Sequence, residues 1–142
     1  MKKSILVASA LLLGSMVTLA HAHAHYSTID SMQFKITNSC MECDLSGAEI
    51  GPNHSNATLT GSNLSNAQGY KLNLSNSNSR HVNFSGAYLV ESNFSQSDLT
   101  GSNFDGANVA FANFAGSRGT NLANAKFCNT IMPDGSTKND NC

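Results

Sequence analysis

From Cys43 to Asp134 the chain repeats a five-residue phrase, and no other feature constrains its fold as strongly. Starting at Ala57 it divides into ATLTG, SNLSN, AQGYK, LNLSN, SNSRH, VNFSG, AYLVE, SNFSQ, SDLTG, SNFDG, ANVAF and ANFAG without a residue gained or lost. CDLSG and AEIGP precede that run, and TNLAN, AKFCN and TIMPD follow it. A small residue usually opens each phrase, and Leu, Phe, Ile or Val usually stands third. A period of five fits neither an amphipathic strand nor an amphipathic helix. A repeat this short buries little alone and must stack on copies of itself. The first and third residues then line a narrow interior. The second, fourth and fifth (Asn, Ser, Gly, Asp, Thr) turn corners and face water.

The phrases CDLSG, SNLSN, SDLTG and SNFDG resemble the pentapeptide-repeat family, whose motif is written A-(D/N)-L-x-x. FCNTIMPDGS at 127–136 is similar to the closing phrase of many bacterial members. The resemblance implies an all-β fold, a right-handed quadrilateral parallel β-helix with one phrase per side and four per coil. On that geometry residues 43–134 make about 4.6 coils, a rod roughly 22 Å long at ~4.8 Å per coil. The expected interior is Leu45, Ile50, Leu59, Leu64, Leu74, Phe84, Leu89, Phe94, Leu99, Phe104, Val109, Phe114, Leu122 and Phe127.

Departures from the pattern carry their own expectations. Gly69 and Ser79 stand where a large central residue belongs, and the next opening positions, Leu72 and Val82, are large instead of small. Close packing conserves total volume more strictly than any one side chain, so Leu72 and Val82 are expected to point inward. Asn53 to Asn56 is one residue short of a phrase and Ser117-Arg118-Gly119 is two short, so a tightened or bulged corner is expected at each. An open coil exposes unpaired backbone. In residues 23–42 the alternation Met32-Gln33-Phe34-Lys35-Ile36 predicts a capping strand over the first coil. Met132-Pro133-Asp134-Gly135 predicts a turn, with a tail over 135–142 folding across the last coil.

Residues 1–22 read as a secretory signal peptide: Lys2 and Lys3 form the positive end, Ile5 to Ala20 the apolar stretch, and Ala20-His21-Ala22 a small-x-small cleavage site. The apolar run is interrupted by Ser9, Gly14, Ser15 and Thr18 and is shorter than the ~20 residues of a membrane span, so no transmembrane anchor is expected. The short leader has a bacterial character and predicts a periplasmic or secreted protein. Charged residues are only 12% of the chain, about half the usual share. Without Lys2 and Lys3, 6 basic residues stand against 9 acidic ones, too mild an imbalance to imply nucleic acid.

The chain has four cysteines, which in an exported protein point to disulfides. On the coil geometry that the resemblance implies, Cys128 lies several coils from Cys40 and Cys43, beyond the ~7 Å a bridge spans. The pairing that follows is Cys40–Cys43 and Cys128–Cys142, one at each end. A redox role for Cys40-Met41-Glu42-Cys43 is disfavoured, because Glu42 and Asp44 raise a thiolate pKa.

Cleavage after Ala22 would start the chain at His23-Ala24-His25, whose amine, backbone nitrogens and third-position imidazole suit square-planar Cu(II) or Ni(II). Cleavage after Ala24 would remove that site, and the bland alternative is a solvated end. His54 and His81 read as isolated, exposed corner residues. The acids Asp44, Glu49, Glu91, Asp98 and Asp105 show no partnered base, so no catalytic residue, cofactor or enzyme activity is expected. The function expected first is a non-enzymatic exported scaffold, monomer or homodimer, presenting flat polar faces to a protein or cell-envelope partner. Some family members bind DNA gyrase, imitate duplex DNA and confer quinolone resistance, but they are strongly acidic and cytoplasmic. The leader and the mild charge argue against that role here.

Overall fold

The computed structural model describes residues 27–142. The leader at 1–22, both cleavage positions and the His23–His25 metal end lie outside the described residues.

Through the repeats, each phrase pairs with the phrase one coil on through a single parallel bridge at its second residue. Asn63 with Asn83, Gln68 with Tyr88, Asn73 with Asn93 and Asn78 with Asp98 are four such pairs, each 20 residues apart. Continued along the chain they form four columns of bridges, so a coil is four phrases long. The bridges do not extend into longer strands within the repeats, because every side turns after one paired residue.

The turn has a local cause. In all twelve uninterrupted phrases the fifth residue takes a left-handed conformation, with φ between 55° and 74°. Gly and Asn adopt it at least cost and occupy seven of those twelve positions. The second-position Asn reinforces the corner: its Oδ1 accepts the N–H two residues on, as Asn63 does from Ser65 at 3.1 Å and Asn73 from Ser75 at 3.0 Å.

All fourteen expected interior residues are at most 5% exposed. Four phenylalanines stack along the interior, with Phe84 on Phe104 at 4.7 Å and Phe94 on Phe114 at 4.9 Å between centroids. Edge contacts tie the two pairs together. Leu72 and Val82 are buried, as volume conservation predicts. A Cβ built at Gly69 would lie 3.0 Å from Cδ2 of both Leu72 and Leu89, so Leu72 fills the space Gly69 leaves. Buried Ser62, Ser92, Ser97 and Ser102 are satisfied by main-chain carbonyls, as Ser92 is by Gly69 at 2.8 Å, and Ser77 by the Ser79 hydroxyl at 2.8 Å.

The register breaks fall at corners. Glu49 pairs with Gln68 at a spacing of 19 but Asn53 with Asn73 at 20, so the missing residue lies between Glu49 and Asn53, at Gly51-Pro52. PNHSN is thereby a full phrase with His54 in its central position, and the short phrase is the one before it, earlier than the Asn53–Asn56 break expected from the sequence. At the far end Asp98 pairs with Arg118 at 20 and Asn108 with Lys126 at 18, which places the two-residue deficit just after Arg118. There Gly119 has φ +64°, and a Cβ on it would fall 2.5 Å from the Thr100 Cα.

The front cap corrects the strand expected at Met32–Ile36. It is a helix, α1 (Thr28–Thr37). Ser27 caps it by accepting the Asp30 N–H at 3.2 Å, and Asn38 ends it in the left-handed region. Only Ser31 and Phe34 of the helix face inward, a three-residue spacing that a strand cannot present on one side.

His54 also departs from expectation: it is 7% exposed and stacks on Phe34 at 4.1 Å. Its Nδ1 lies 2.7 Å from Asn38 Oδ1. The ring fills the central position of its phrase and carries the helix on its upper face. Burial, and secondarily the Lys35 ammonium, lowers its pKa below the ordinary 6.5. Above pH 6.5 both folded and unfolded chains keep His54 neutral. Below it the unfolded chain takes up the proton first, so stability falls with falling pH until the folded ring also titrates. The urea midpoint is expected to drop between pH 7.5 and 5 by more in the wild type than in a His54→Phe variant. Equal slopes would remove His54 as the cause.

At the back, β1 (Thr130–Ile131) and β2 (Thr137–Lys138) pair antiparallel around the Met132–Gly135 turn. The tail then crosses the last coil: Asn141 exchanges two hydrogen bonds with Phe127, and the Lys138 ammonium sits 4.2 Å from the Phe127 ring centroid. Cys128 and Cys142 are bridged, as are Cys40 and Cys43, with Cα separations of 4.8 and 5.6 Å. Replacing Cys128 and Cys142 together by Ser is expected to cost up to about 3 kcal/mol through regained loop entropy. An unchanged melting temperature would show that the tail is held by its hydrogen bonds alone.

Candidate functional site

On the sides built on Asn, Asn63, Asn73, Asn83, Asn93, Asn103 and Asn113 each spend the carbonyl on their own corner. In the column Asp44, Asn63, Asn83 and Asn103, neighbouring carboxamides also link across coils, Asn83 Nδ2 donating to Asn63 Oδ1 at 3.2 Å. These outward links between coils serve the fold. Asn53, Asn73, Asn93 and Asn113 form a second Asn column, in which Asn73, Asn93 and Asn113 accept from their own corners.

The side carrying Glu49, Gln68, Tyr88, Asn108 and Lys126 departs from this pattern, keeping it only at Asn108, whose Oδ1 accepts the Ala110 N–H at 3.1 Å. Tyr88 lacks the carboxamide that turns the corner elsewhere, and Tyr70 stands at a fourth position where Ser is common. Three of its fifth positions hold Lys71, Glu91 and Phe111, with φ of 57–59°, before Asn129 closes the column; His81 and Gln96 are the corresponding exceptions on other sides. A bulky side chain in that region costs about 1–2 kcal/mol, and such strain collects at functional sites. Tyr70, Tyr88 and Phe111, 49%, 39% and 54% exposed, are the exposed large aromatics among the described residues, and all three stand on this side.

Around Tyr70 the side is ordered by polar contacts. The Tyr70 hydroxyl donates to Glu91 Oε1 at 2.9 Å, and Lys71 Nζ lies 3.4 Å from Glu91 Oε2. The same ammonium sits 5.1 Å from the Tyr70 ring centroid. Hydrogen bonding to Tyr70 and Glu91 raises the Lys71 pKa above its ordinary range, so the cation persists through neutral pH. Toward the front, an open cleft of about 480 Å³ is bounded by Lys35 of α1, the short corner Glu49–Pro52, Gln68, Tyr70 and Tyr88.

The other charged cluster lies on the side bearing Asn78, Asp98 and Arg118. Arg80 and Arg118 approach Asp98 Oδ2 at 3.5 and 3.3 Å. The Asp98 carboxylate also accepts from the Thr100 hydroxyl, which with the Thr100 N–H lowers its pKa. Exposed pairs of this kind contribute little. His81 is an exposed corner residue, as expected. Among the described residues no cluster of His, Cys, Asp and Glu could hold a metal ion, and no helix is long and apolar enough to cross a membrane.

The sequence reading did not single out Tyr70, Tyr88 or Phe111. The signal was available: at four phrases per coil, AQGYK, AYLVE and ANVAF fall on one side, and Lys71, Glu91 and Phe111 recur every 20 residues.

The pentapeptide repeats family matches residues 83–118, in eight copies. No curated protein matched significantly. The solved structures similar to this chain are pentapeptide-repeat proteins. QnrB1, a plasmid-mediated fluoroquinolone resistance protein, is 17% identical over 70% of this chain and 74% of its own, with a TM-score of 0.37. A pentapeptide repeat protein from the Arabidopsis thaliana thylakoid lumen is 22% identical over 54% of this chain and 58% of its own, with a TM-score of 0.35. Rfr23 from the cyanobacterium Cyanothece 51142 is 21% identical over 74% of this chain and 98% of its own, with a TM-score of 0.30. The sequence resemblance to pentapeptide repeats is thus borne out.

Proposed function

We propose that this chain is a non-enzymatic, exported repeat scaffold that engages a protein or cell-envelope partner through the side bearing Tyr70, Tyr88 and Phe111. Its coils wind as a right-handed four-sided β-helix in the periplasm or outside the cell. One observation carries the reading: the exposed large aromatics among the described residues, Tyr70, Tyr88 and Phe111, all stand on this side. Tyr and Phe supply contact area at small entropic cost and are enriched in interfaces. Paired Lys71 and Glu91 keep the side near neutral. A gyrase-directed DNA mimic is disfavoured, since two of the outward columns are built mainly on neutral carboxamides where a mimic needs carboxylates.

The test separates binding from folding. Phe111→Asn relieves the left-handed strain and is expected to raise stability by about 0.5–1 kcal/mol. Combined with Tyr70→Ser and Tyr88→Asn, it is expected to abolish the retention of cell-envelope components on the immobilised protein. Unchanged retention would refute this side as the binding side. Export is tested separately, by mass spectrometry of the N-terminus in fractionated cells. An intact Met1 in the cytoplasm would overturn it.

A further inference from the structure

We infer that the cleft between α1 and the Tyr70–Tyr88 side is a binding site for a neutral saccharide. This rests on reading that side as the binding side and names the chemistry its front end would take. The lining combines two tyrosine rings with one carboxamide, one carboxylate and one ammonium. A sugar ring presents the same combination in complement: a face of C–H groups that packs on an aromatic ring, and a rim of hydroxyls that both donate and accept. Gln68 supplies a donor and an acceptor, Glu49 an acceptor, and Lys35 donors only.

Charge decides against the competing ligand classes. The lining carries one ammonium, Lys35, and one carboxylate, Glu49, so a phosphate or carboxylate ligand gains no net attraction. A purely apolar ligand would strip water from Glu49, Lys35 and the Gln68 carbonyl, the Gln68 nitrogen alone keeping a partner in the Asn66 carbonyl at 3.1 Å. The cleft is also long in the right direction. Glu49, Gln68 and Tyr88 stack in three consecutive coils, about 4.8 Å apart, close to the advance per sugar of an extended glycan. A volume of about 480 Å³ has room for more than one ring.

Two features make the platform ready before binding. The Tyr70 hydroxyl is held by Glu91, which is itself held by Lys71, so ordering that ring costs little. Gly51 and Pro52 keep the wall low where the short corner crosses, because neither carries a long side chain. The site is open, which sets the expected affinity in the weak range typical of a single exposed platform and leaves the remainder of the side free for a longer chain.

Titration of the isotope-labelled full-length protein with tetramers of glucose and of N-acetylglucosamine tests this by amide NMR. Shifts of the Gly51, Gln68 and Tyr88 amides are expected with at least one tetramer, saturating at millimolar concentration. Tyr88→Ala should weaken binding roughly tenfold or more, the equivalent of one lost stacking contact, while Tyr88→Phe retains it. Both variants should melt as the wild type does. Absence of shifts with either tetramer at 20-fold the protein concentration and above, or equal binding by Tyr88→Ala, would overturn the saccharide assignment. If envelope retention still depends on Tyr70, Tyr88 and Phe111 in that case, only the ligand class has failed. If neither depends on them, the binding side itself has.

Discussion

Truncating Phe104 to Ala is expected to lower the stability of the fold by about 3–5 kcal/mol. The ring is 1% exposed and touches three others, stacking on Phe84 at 4.7 Å and meeting Phe94 and Phe114 edge-on at 5.7 Å. The interior is one residue wide, so no second layer can collapse into the space. Each coil is bridged to the ones before and after it, which limits how far the backbone can close on the cavity. Chemical denaturation checks the value. A loss below about 1 kcal/mol would mean that the coils close around the gap, contrary to the rigidity argued here. Phe104→Leu, which keeps the central position filled, is expected to lose much less.

The second large effect is expected at Gly119. Replacement by Ala should cost about 2–4 kcal/mol, combining left-handed strain with overpacking against backbone. The added Cβ would fall 2.5 Å from the Thr100 Cα and 2.5 Å from its Oγ1, and that residue's main chain is itself held, its carbonyl accepting from the His81 N–H at 2.9 Å and its N–H donating to Asp98 Oδ1 at 3.1 Å. Gly135→Ala is the control: its φ is +84° but nothing lies within 4 Å of the new atom, so only conformational strain remains. Thermal melts in which the two variants behave alike would show that the close approach at Thr100 is relieved without cost. The comparison isolates crowding from conformation, because both glycines are left-handed.

These two sites also mark how far the sequence could be read. Phe104 was legible, because its burial follows from a period that every neighbouring phrase repeats. The same holds for Leu72 and Val82, whose size compensates a missing side chain three residues earlier. Gly119 was legible only as part of a shortened phrase. Its need for glycine comes from Thr100, which lies a coil away.

Local signals at the front end pointed two ways. Met32-Gln33-Phe34-Lys35-Ile36 alternates as a strand does, yet Ser27 and Asp30 form a helix start. The outcome was set by packing, since α1 buries Phe34 and Ser31 over His54 while Asn38 binds both the His54 ring and the Ser55 carbonyl. His54 looked like a corner residue because the count of phrases was one residue off. Placing the deficit at Gly51-Pro52 moves it to the centre of a coil.

What the sequence determined alone was the repeat, the interior and the corners, because each depends on residues within five positions of one another. The tertiary structure decided which outward residues meet. Tyr70, Tyr88 and Phe111 become neighbours only when coils stack at four phrases each, and Lys35 joins them only because the cap is a helix. Contacts between coils depend on the sum of all the residues between them, so a deficit of one or two shifts every later register. Short-range pattern therefore specified the scaffold, and stacking specified the surface it presents.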